Sequence, residues 1–161
     1  MRVYTRIMLR SDRTFDLITC ARIGANCTHF NLRKASRVVS QLFDEVFRDA
    51  GIRGTQFGLL AGIYWSGTAT LTQLARLLAT DRTTLTRNLS LLRAHGLVVT
   101  ARGRDRRARA VAITPRGRRA LARALPYWEK AQSRIVRRLG LKQWRKLMEA
   151  LGAIVRLGAS I

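Results

Sequence analysis

The sequence predicts a mainly α-helical protein with a small β wing, the arrangement known as a winged helix-turn-helix. Two short amphipathic helices with a tight polar link occupy residues 70–95. They are followed by two short apolar β runs around an arginine-dense tip, a pattern typical of a hairpin with a long loop. Longer amphipathic helices lie on both sides of this segment. In such an arrangement the second short helix can enter a DNA major groove.

The first half of the chain is predicted to be helical from the three- and four-residue spacing of its apolar side chains. One helix covers residues 26–50, and Thr55 is expected to cap the next. The third helix should bury a stripe of Leu71, Leu74, Leu77 and Leu78.

The second half begins with a helix capped by Asp81, or by Thr80 before it, and ended by Gly96. Thr114 followed by Pro115 predicts the start of a long helix that continues to about Leu139. Pro126 inside it should bend or break it. Gly140 then separates a final helix.

These elements divide the chain into three regions. We assign residues 1–26 to an N-terminal arm, residues 27–50 and 115–161 to a helical dimerisation region, and residues 51–114 to a winged helix-turn-helix DNA-binding region. The apolar stripes of the first and last helices are too long for the middle region to cover, so we expect them to pair with a second copy. Packing within one chain is the alternative.

The charge of the chain narrows its partners. With 31 Lys and Arg residues against 9 acidic residues, the formal net charge is +22. Such a surplus attracts polyanions, of which nucleic acid is the first candidate and an anionic membrane surface the second. A general preference for arginine would explain the total, but not the cluster at residues 102–109.

Other function classes find little support. The chain has 2 His residues, few acids and no recognisable nucleophile–base set or phosphate loop, so we expect no enzyme activity and no cofactor. Cys27 and His29 supply too few ligands for a metal site. No run of about 18 apolar residues and no secretory signal is present, which favours a cytoplasmic protein that does not use a membrane.

The predicted fourth helix turns Leu85, Leu89 and Leu92 toward the core and has a polar face opposite them. Arginine can bond guanine O6 and N7, asparagine can pair with adenine, and a threonine methyl can contact the thymine methyl. An ordinary solvated helix face is the alternative. The residues predicted to contact DNA from this face are Arg82, Thr83, Thr84, Thr86, Arg87 and Asn88.

The wing tip is a second predicted DNA contact. Five guanidinium groups surround one acid there, and such a cluster suits the negative potential of a narrow minor groove. The tip residues assigned to DNA are Arg104, Asp105, Arg106 and Arg107. Behind the tip, three arginines (116, 118 and 119) lie at the positive end of the next helix, where flanking phosphates could compensate them.

Two segments carry a resemblance to a known family. GRDRRARAVAITPRG at 103–117 resembles the wing signature of the MarR family, which has an Asp-x-Arg tip, a β-strand and then Ile-Thr-x-x-Gly. DRTTLTRNLSLLRAHGLV at 81–98 resembles that family's recognition helix and first wing strand. The similarity covers about residues 28–158. It implies a dimeric transcription regulator, usually a repressor, with Asp105 and Arg107 as the wing-tip pair and Arg107 in the minor groove.

The resemblance also implies release from DNA by a small phenolic or lipophilic ligand or by thiol oxidation. Cys27 lies at the start of a helix near two cations, which would favour its thiolate, although the family's sensor position aligns nearer His29. An inert thiol is the alternative. For a ligand, the resemblance suggests a pocket between the two regions, and the arginine-rich surroundings suggest a phenolic or anionic effector. The aromatic residues available to this pocket, unless they are simply core, are Phe30, Phe57, Tyr64 and Trp65.

The expected DNA partner is double-stranded. A dimeric regulator should prefer a pseudo-palindromic operator with half-sites about 10 bp apart. The alternative function is that of a general basic nucleic-acid-binding protein without sequence preference, whose affinity would depend steeply on salt.

Overall fold

The computed structural model describes residues 16–102 and 109–158. The chain forms two compact units, one up to Ser40 and one from Gln41. In the first unit, helix α1 (Leu17–Asn26) is capped by Asp16, whose side chain accepts the Thr19 N–H at 2.7 Å. Cys27 separates α1 from α2 (Thr28–Val46), which continues into the second unit.

The second unit contains the winged helix. After α2 the elements are α3 (Gly54–Ser66), β1 (Thr68–Thr70), α4 (Leu71–Leu77), α5 (Arg82–Ala94), β2 (Val98–Arg102), β3 (Arg109–Ile113), α6 (Pro115–Leu139) and α7 (Leu141–Gly158). The three strands form an antiparallel sheet in the order β1-β3-β2. The prediction of a mainly α-helical chain with a small β wing is therefore confirmed.

The core lies between α3, α4, α5, the sheet and the start of α6. Its largest fully buried side chains are Leu60, Ile63, Leu74, Leu85 and Leu92. A second cluster joins Phe47, Ala50, Phe57 and Ala124. Burial of the α5 leucines, which was predicted, fixes the rotation of that helix about its axis.

Three local predictions are wrong. Helix α3 begins one residue before Thr55, and the Gln56 side chain accepts the Arg53 N–H at 2.9 Å. Leu77 is exposed, because Leu71 and Leu78, but not Leu77, pack against the core that surrounds Leu74. Helix α6 is continuous through Pro126, so the break that was predicted there as the alternative to a bend does not occur; Pro126 is exposed, where water can bond the carbonyl that its ring leaves free.

Strand β1 was not expected, because three residues are too few for a periodic pattern. It pairs with β3 and leads directly into α4, so the helix-turn-helix is attached to the wing by hydrogen bonds. Among the residues that the structure describes, no helix is long and apolar enough to cross a membrane.

Candidate nucleic-acid interface

Helix α5 is held at its start by the cap that the sequence predicted. Asp81 Oδ1 accepts the Thr84 N–H at 2.8 Å. This hydrogen bond lowers the pKa of Asp81 below its usual value, so the carboxylate stays ionised at the positive end of the helix. The first turn of α5, which carries Arg82, Thr83 and Thr84 of the predicted DNA contacts, is therefore preorganised.

The opposite faces of α5 differ as predicted. Leu85, Leu89 and Leu92 are buried, which leaves the polar side chains outside. Asn88 is partly buried at the edge of this face. The structure brings the predicted residues together on one surface, whose exposed members are Arg82, Thr83, Thr84, Thr86 and Arg87.

Thr86 is chemically more restricted than its neighbours. Its hydroxyl donates to the Arg82 carbonyl at 2.7 Å, one turn earlier in the same helix. The proton of that hydroxyl is used within the helix, so toward DNA this residue offers its methyl group and a lone pair. It is suited to a thymine methyl, while Arg82 and Arg87 carry the donors.

The turn between α4 and α5 places the second helix relative to the first. Ala79 has a positive φ of 46°, in the left-handed region that favours glycine. The following N–H, of Thr80, bonds to the Ala75 carbonyl at 3.0 Å and closes the end of α4. At the other end of α4, Thr70 and Gln73 cap each other, with the Thr70 N–H 2.8 Å from Gln73 Oε1.

The base of the wing is joined to α5 and α6 through Thr114. Its hydroxyl donates to the Gly96 carbonyl at 2.7 Å and accepts the Gly117 N–H at 2.9 Å. A Cβ at Gly117 would lie 2.1 Å from the Leu97 carbonyl oxygen, so only glycine allows α6 to approach this closely. The Thr-x-x-Gly motif therefore positions the wing relative to the reading helix.

The wing tip lies outside the described residues. The paired strands reach the Arg102 and Arg109 positions, and Arg104, Asp105, Arg106 and Arg107 come between them. Their assignment to the minor groove stays a prediction.

One arginine behind the wing has a partner that sequence reasoning missed. Arg116 lies beside Gly96, with its Cδ 3.8 Å and its Nη1 3.9 Å from where a Cβ of that glycine would be. The guanidinium thus faces the C-terminal end of α5, which carries partial negative charge. Compensation of Arg116 by flanking phosphates stays a prediction.

A cavity of about 390 Å³ lies elsewhere in the second unit. Phe57 and Trp128 stack beside it, with ring centroids 6.4 Å apart. Of the four aromatics predicted for a ligand pocket, Phe57 lines it, whereas Tyr64 and Trp65 are exposed and do not; Phe30 belongs to the first unit and is half-exposed. The lining is apolar and consists of Phe43, Gly54, Phe57, Gly58, Ala61, Leu125 and Trp128.

Cys27, the proposed sensor, occupies the junction between α1 and α2. It is partly buried, and its carbonyl accepts the Asn31 N–H at 3.0 Å in the first turn of α2. Cys20 is exposed. Within residues 16–102 and 109–158, no three potential ligands gather into a metal site.

Comparisons with known proteins agree with this geometry. A family model described as the MarR family matches residues 50–108. The transcriptional regulator MosR of M. tuberculosis, solved in complex with DNA, is 32% identical, with a TM-score of 0.75; the match covers 84% of this chain and 98% of that one. No curated protein sequence matches significantly.

Two further solved structures are each 26% identical, with TM-scores of 0.71, over 79% of this chain. One is a probable transcriptional regulator from Pseudomonas aeruginosa, of which 96% is covered; the other is the repressor CouR bound to a 23-mer DNA duplex, of which 91% is covered. Given the winged helix, the exposed polar face of α5 and these similarities, the chain belongs to the MarR family of DNA-binding transcriptional regulators.

Proposed function

We propose that this protein is a homodimeric repressor that binds a pseudo-palindromic operator and is released by a small uncharged molecule. The observation that carries the proposal is the capped helix α5, which buries three leucines and presents its polar residues on one exposed face. The similarity to CouR, a repressor bound to DNA, supports repression.

Roles on the operator follow from side-chain chemistry. Arg82 and Arg87 would bond guanine edges, Asn88 would pair with adenine at the edge of the face, and Thr86 would contact a thymine methyl. Thr83 and Thr84, at the start of the helix, are placed for phosphates. Arg107 would enter the minor groove from the wing tip.

Dimerisation is supported by α7. This helix of 18 residues has no buried residue, although its apolar side chains recur on one face. Leu147, Met148 and Val155 are 39%, 41% and 57% exposed. We therefore propose that residues 27–50 and 115–161 form a dimerisation region and that residues 51–114 bind DNA. A second copy that covers the exposed apolar side chains of α7 would also set the spacing of the two half-sites.

The cavity is the proposed effector site. Its volume lies in the range of small-molecule pockets, and stacked aromatic rings favour a flat ligand. None of the described residues that line it is charged, so the effector class favoured here is a neutral aromatic such as a phenol, and an anion is disfavoured.

A binding titration tests the proposal against general DNA binding. The protein selects a duplex from a random library, and this duplex is compared with a scrambled copy at two salt concentrations. We expect the selected sequence to be preferred at both, since base contacts survive when phosphate attraction is screened. Equal affinity for both duplexes would leave only the general nucleic-acid-binding function.

Two substitutions test the assigned groups. Arg107→Ala should weaken binding to the selected duplex and leave the dimer intact, with Arg156→Ala on α7 as the matched control.

Cys27→Ser separates the two means of release: if peroxide dissociates the wild-type complex but not this variant, thiol oxidation rather than a ligand controls the protein.

A further inference from the structure

Helix α6 carries a stripe of cations that the proposed operator contacts do not use. Eight of its 25 residues are Lys or Arg, and Glu129 is its one acid. At about 100° per residue, six of the cations fall within a sector of about 60°, and one of them, Arg134, is partly buried. The other five are exposed, and we call them the α6 stripe: Arg116, Arg119, Arg123, Lys130 and Arg137.

The stripe is separated from the apolar sides of the same helix. Gly117, Ala120, Ala124 and Ala131 face the core. The exposed apolar side chains of α6, which include Leu125 beside the cavity, lie on one side of this core-facing surface, and the stripe lies on the other. A partner that covered the apolar flank would therefore leave the stripe free.

Carboxylates do not neutralise the stripe. Over the part of the chain that the structure describes, the single ion pair joins Glu45 to Arg134, the partly buried cation of the same sector, at 3.1 Å, and it leaves the five exposed cations without a carboxylate partner. Like charges three and four residues apart on a helix repel each other, as Arg116, Arg119 and Arg123 must. A bound polyanion would relieve this repulsion.

The stripe lies away from the reading face. Arg116 is beside Gly96, just past the C-terminal end of α5, whereas Arg82 and Arg87 lie in its first half. The first turn of α5 is about 20 Å from that end. From Arg116 to Arg137 the stripe extends about 32 Å along α6, close to one turn of B-DNA.

We propose that the α6 stripe binds the sugar–phosphate backbone of a second DNA duplex, without sequence preference, while α5 holds the operator. The inference rests on the proposed operator binding. Four of its five cations are arginines, whose planar fork matches phosphate oxygens. A membrane helix would place large apolar side chains beside its cations for insertion, whereas the neighbouring buried positions of α6 are small and face the core. The partner chemistry favoured is therefore DNA.

The test uses full-length protein saturated with a short duplex selected by the protein and labelled with one dye. A second duplex of 30 bp and unrelated sequence, with another dye, is then titrated in and followed by anisotropy. The triple variant Arg123→Gln, Lys130→Gln and Arg137→Gln removes three of the five stripe cations and keeps Arg116 and Arg119, which lie nearest the operator. A matched variant removes two arginines and one lysine from α7: Lys142→Gln, Arg145→Gln and Arg156→Gln.

We expect the stripe variant to bind the second duplex at least tenfold more weakly, with a salt slope smaller by about 2.5. Its operator affinity and the second-duplex affinity of the α7 variant should change less than threefold. Should the triple variant fold poorly by circular dichroism, the double variant Arg123→Gln and Lys130→Gln is expected to show about two thirds of the change in slope.

Several results would overturn the inference. Wild-type protein could fail to bind the second duplex, or both variants could lose it equally, which would mean that net charge alone attracts DNA. Stripe-dependent binding to vesicles rich in anionic lipid, without binding to the second duplex, would assign the stripe to membranes. Because the two dyes report separately, a lack of operator preference contradicts the proposed function, and loss of the second signal contradicts the stripe alone.

Discussion

The winged helix and the C-terminal helix differ in how completely one chain buries them. In the winged helix, leucines from α3, α4 and α5 meet Val98 and Ala120 in a closed core. Helix α7 is equally periodic in sequence, yet it has no buried residue. The same amphipathic pattern therefore leads to a finished core in one region and to an open apolar face in the other.

Polar groups show the same contrast. Each of α4, α5 and α6 is capped at its start by a side chain that accepts a backbone N–H. The capping residues are Thr70, Asp81 and Thr114. In α7 the buried indole Nε1 of Trp144 has no hydrogen-bond partner, alone among buried side-chain atoms of the described residues. Buried donors are almost always satisfied in finished structures. Among the described residues, an unsatisfied buried polar side-chain atom is thus found in α7 and not in the winged helix.

The largest expected effect comes from placing charge on the open face of α7. Leu147→Glu with Ile154→Glu should weaken self-association by more than 100-fold, since each apolar side chain contributes about 1.5 kcal/mol or more when buried. Sedimentation equilibrium measures the change, and circular dichroism checks that the monomer stays folded. Lys146→Glu, on the polar face, is the control and should leave association nearly unchanged. An unaltered dimer would mean that α7 is not the interface.

Within the closed region, Gly117→Ala tests the approach of α6 to the wing. The added methyl would meet the Leu97 carbonyl at 2.1 Å and Ile113 Cγ1 at 2.7 Å. Backbone has to move, and we expect a loss of about 3 kcal/mol in the free energy of unfolding, measured in urea. Gly58→Ala, in an exposed position of α3 with nothing within 4 Å, should instead stabilise by about 0.5–1 kcal/mol. Similar values for the two would show that the close approach is not required.

How far the sequence predicted each region depends on the range of the interactions involved. The cap at Asp81, the buried Leu85 and the start of α6 at Pro115 follow from neighbours within one or two turns, and these predictions are confirmed. The exposure of Leu77 and the proximity of Arg116 to Gly96 depend on elements distant in sequence, so no local sequence pattern could predict them. For the site, the face of α5 was predictable because three leucines fix its rotation, whereas the cavity lining required the fold of α3 onto α6.

A smaller effect is expected at Thr114, which joins α5, the wing and α6. Thr114→Val keeps the shape and removes the hydroxyl that caps Gly117 and bonds Gly96, at a cost of about 1–2 kcal/mol. Because the wing is positioned through this group, affinity for the selected duplex should also fall. Thr100→Val on the exposed side of β2 should change stability by less than about 0.5 kcal/mol. If Thr114→Val matched that control, the hydroxyl would not hold the wing.

The smallest expected effect is a gain in stability at the turn of the helix-turn-helix. Ala79 is the one non-glycine residue with a positive φ among those described, and its Cβ is unfavourable in that conformation. Ala79→Gly should raise the free energy of unfolding by about 0.5–1 kcal/mol, since relief of this strain outweighs the greater freedom of glycine in the unfolded chain. Ala122→Gly, exposed in the middle of α6, should shift stability by a similar amount in the opposite direction. If the alanine-to-glycine substitution stabilises the protein at position 79 and destabilises it at position 122, backbone strain lies in the turn. A loss of stability at both positions would show that the backbone at Ala79 is not strained.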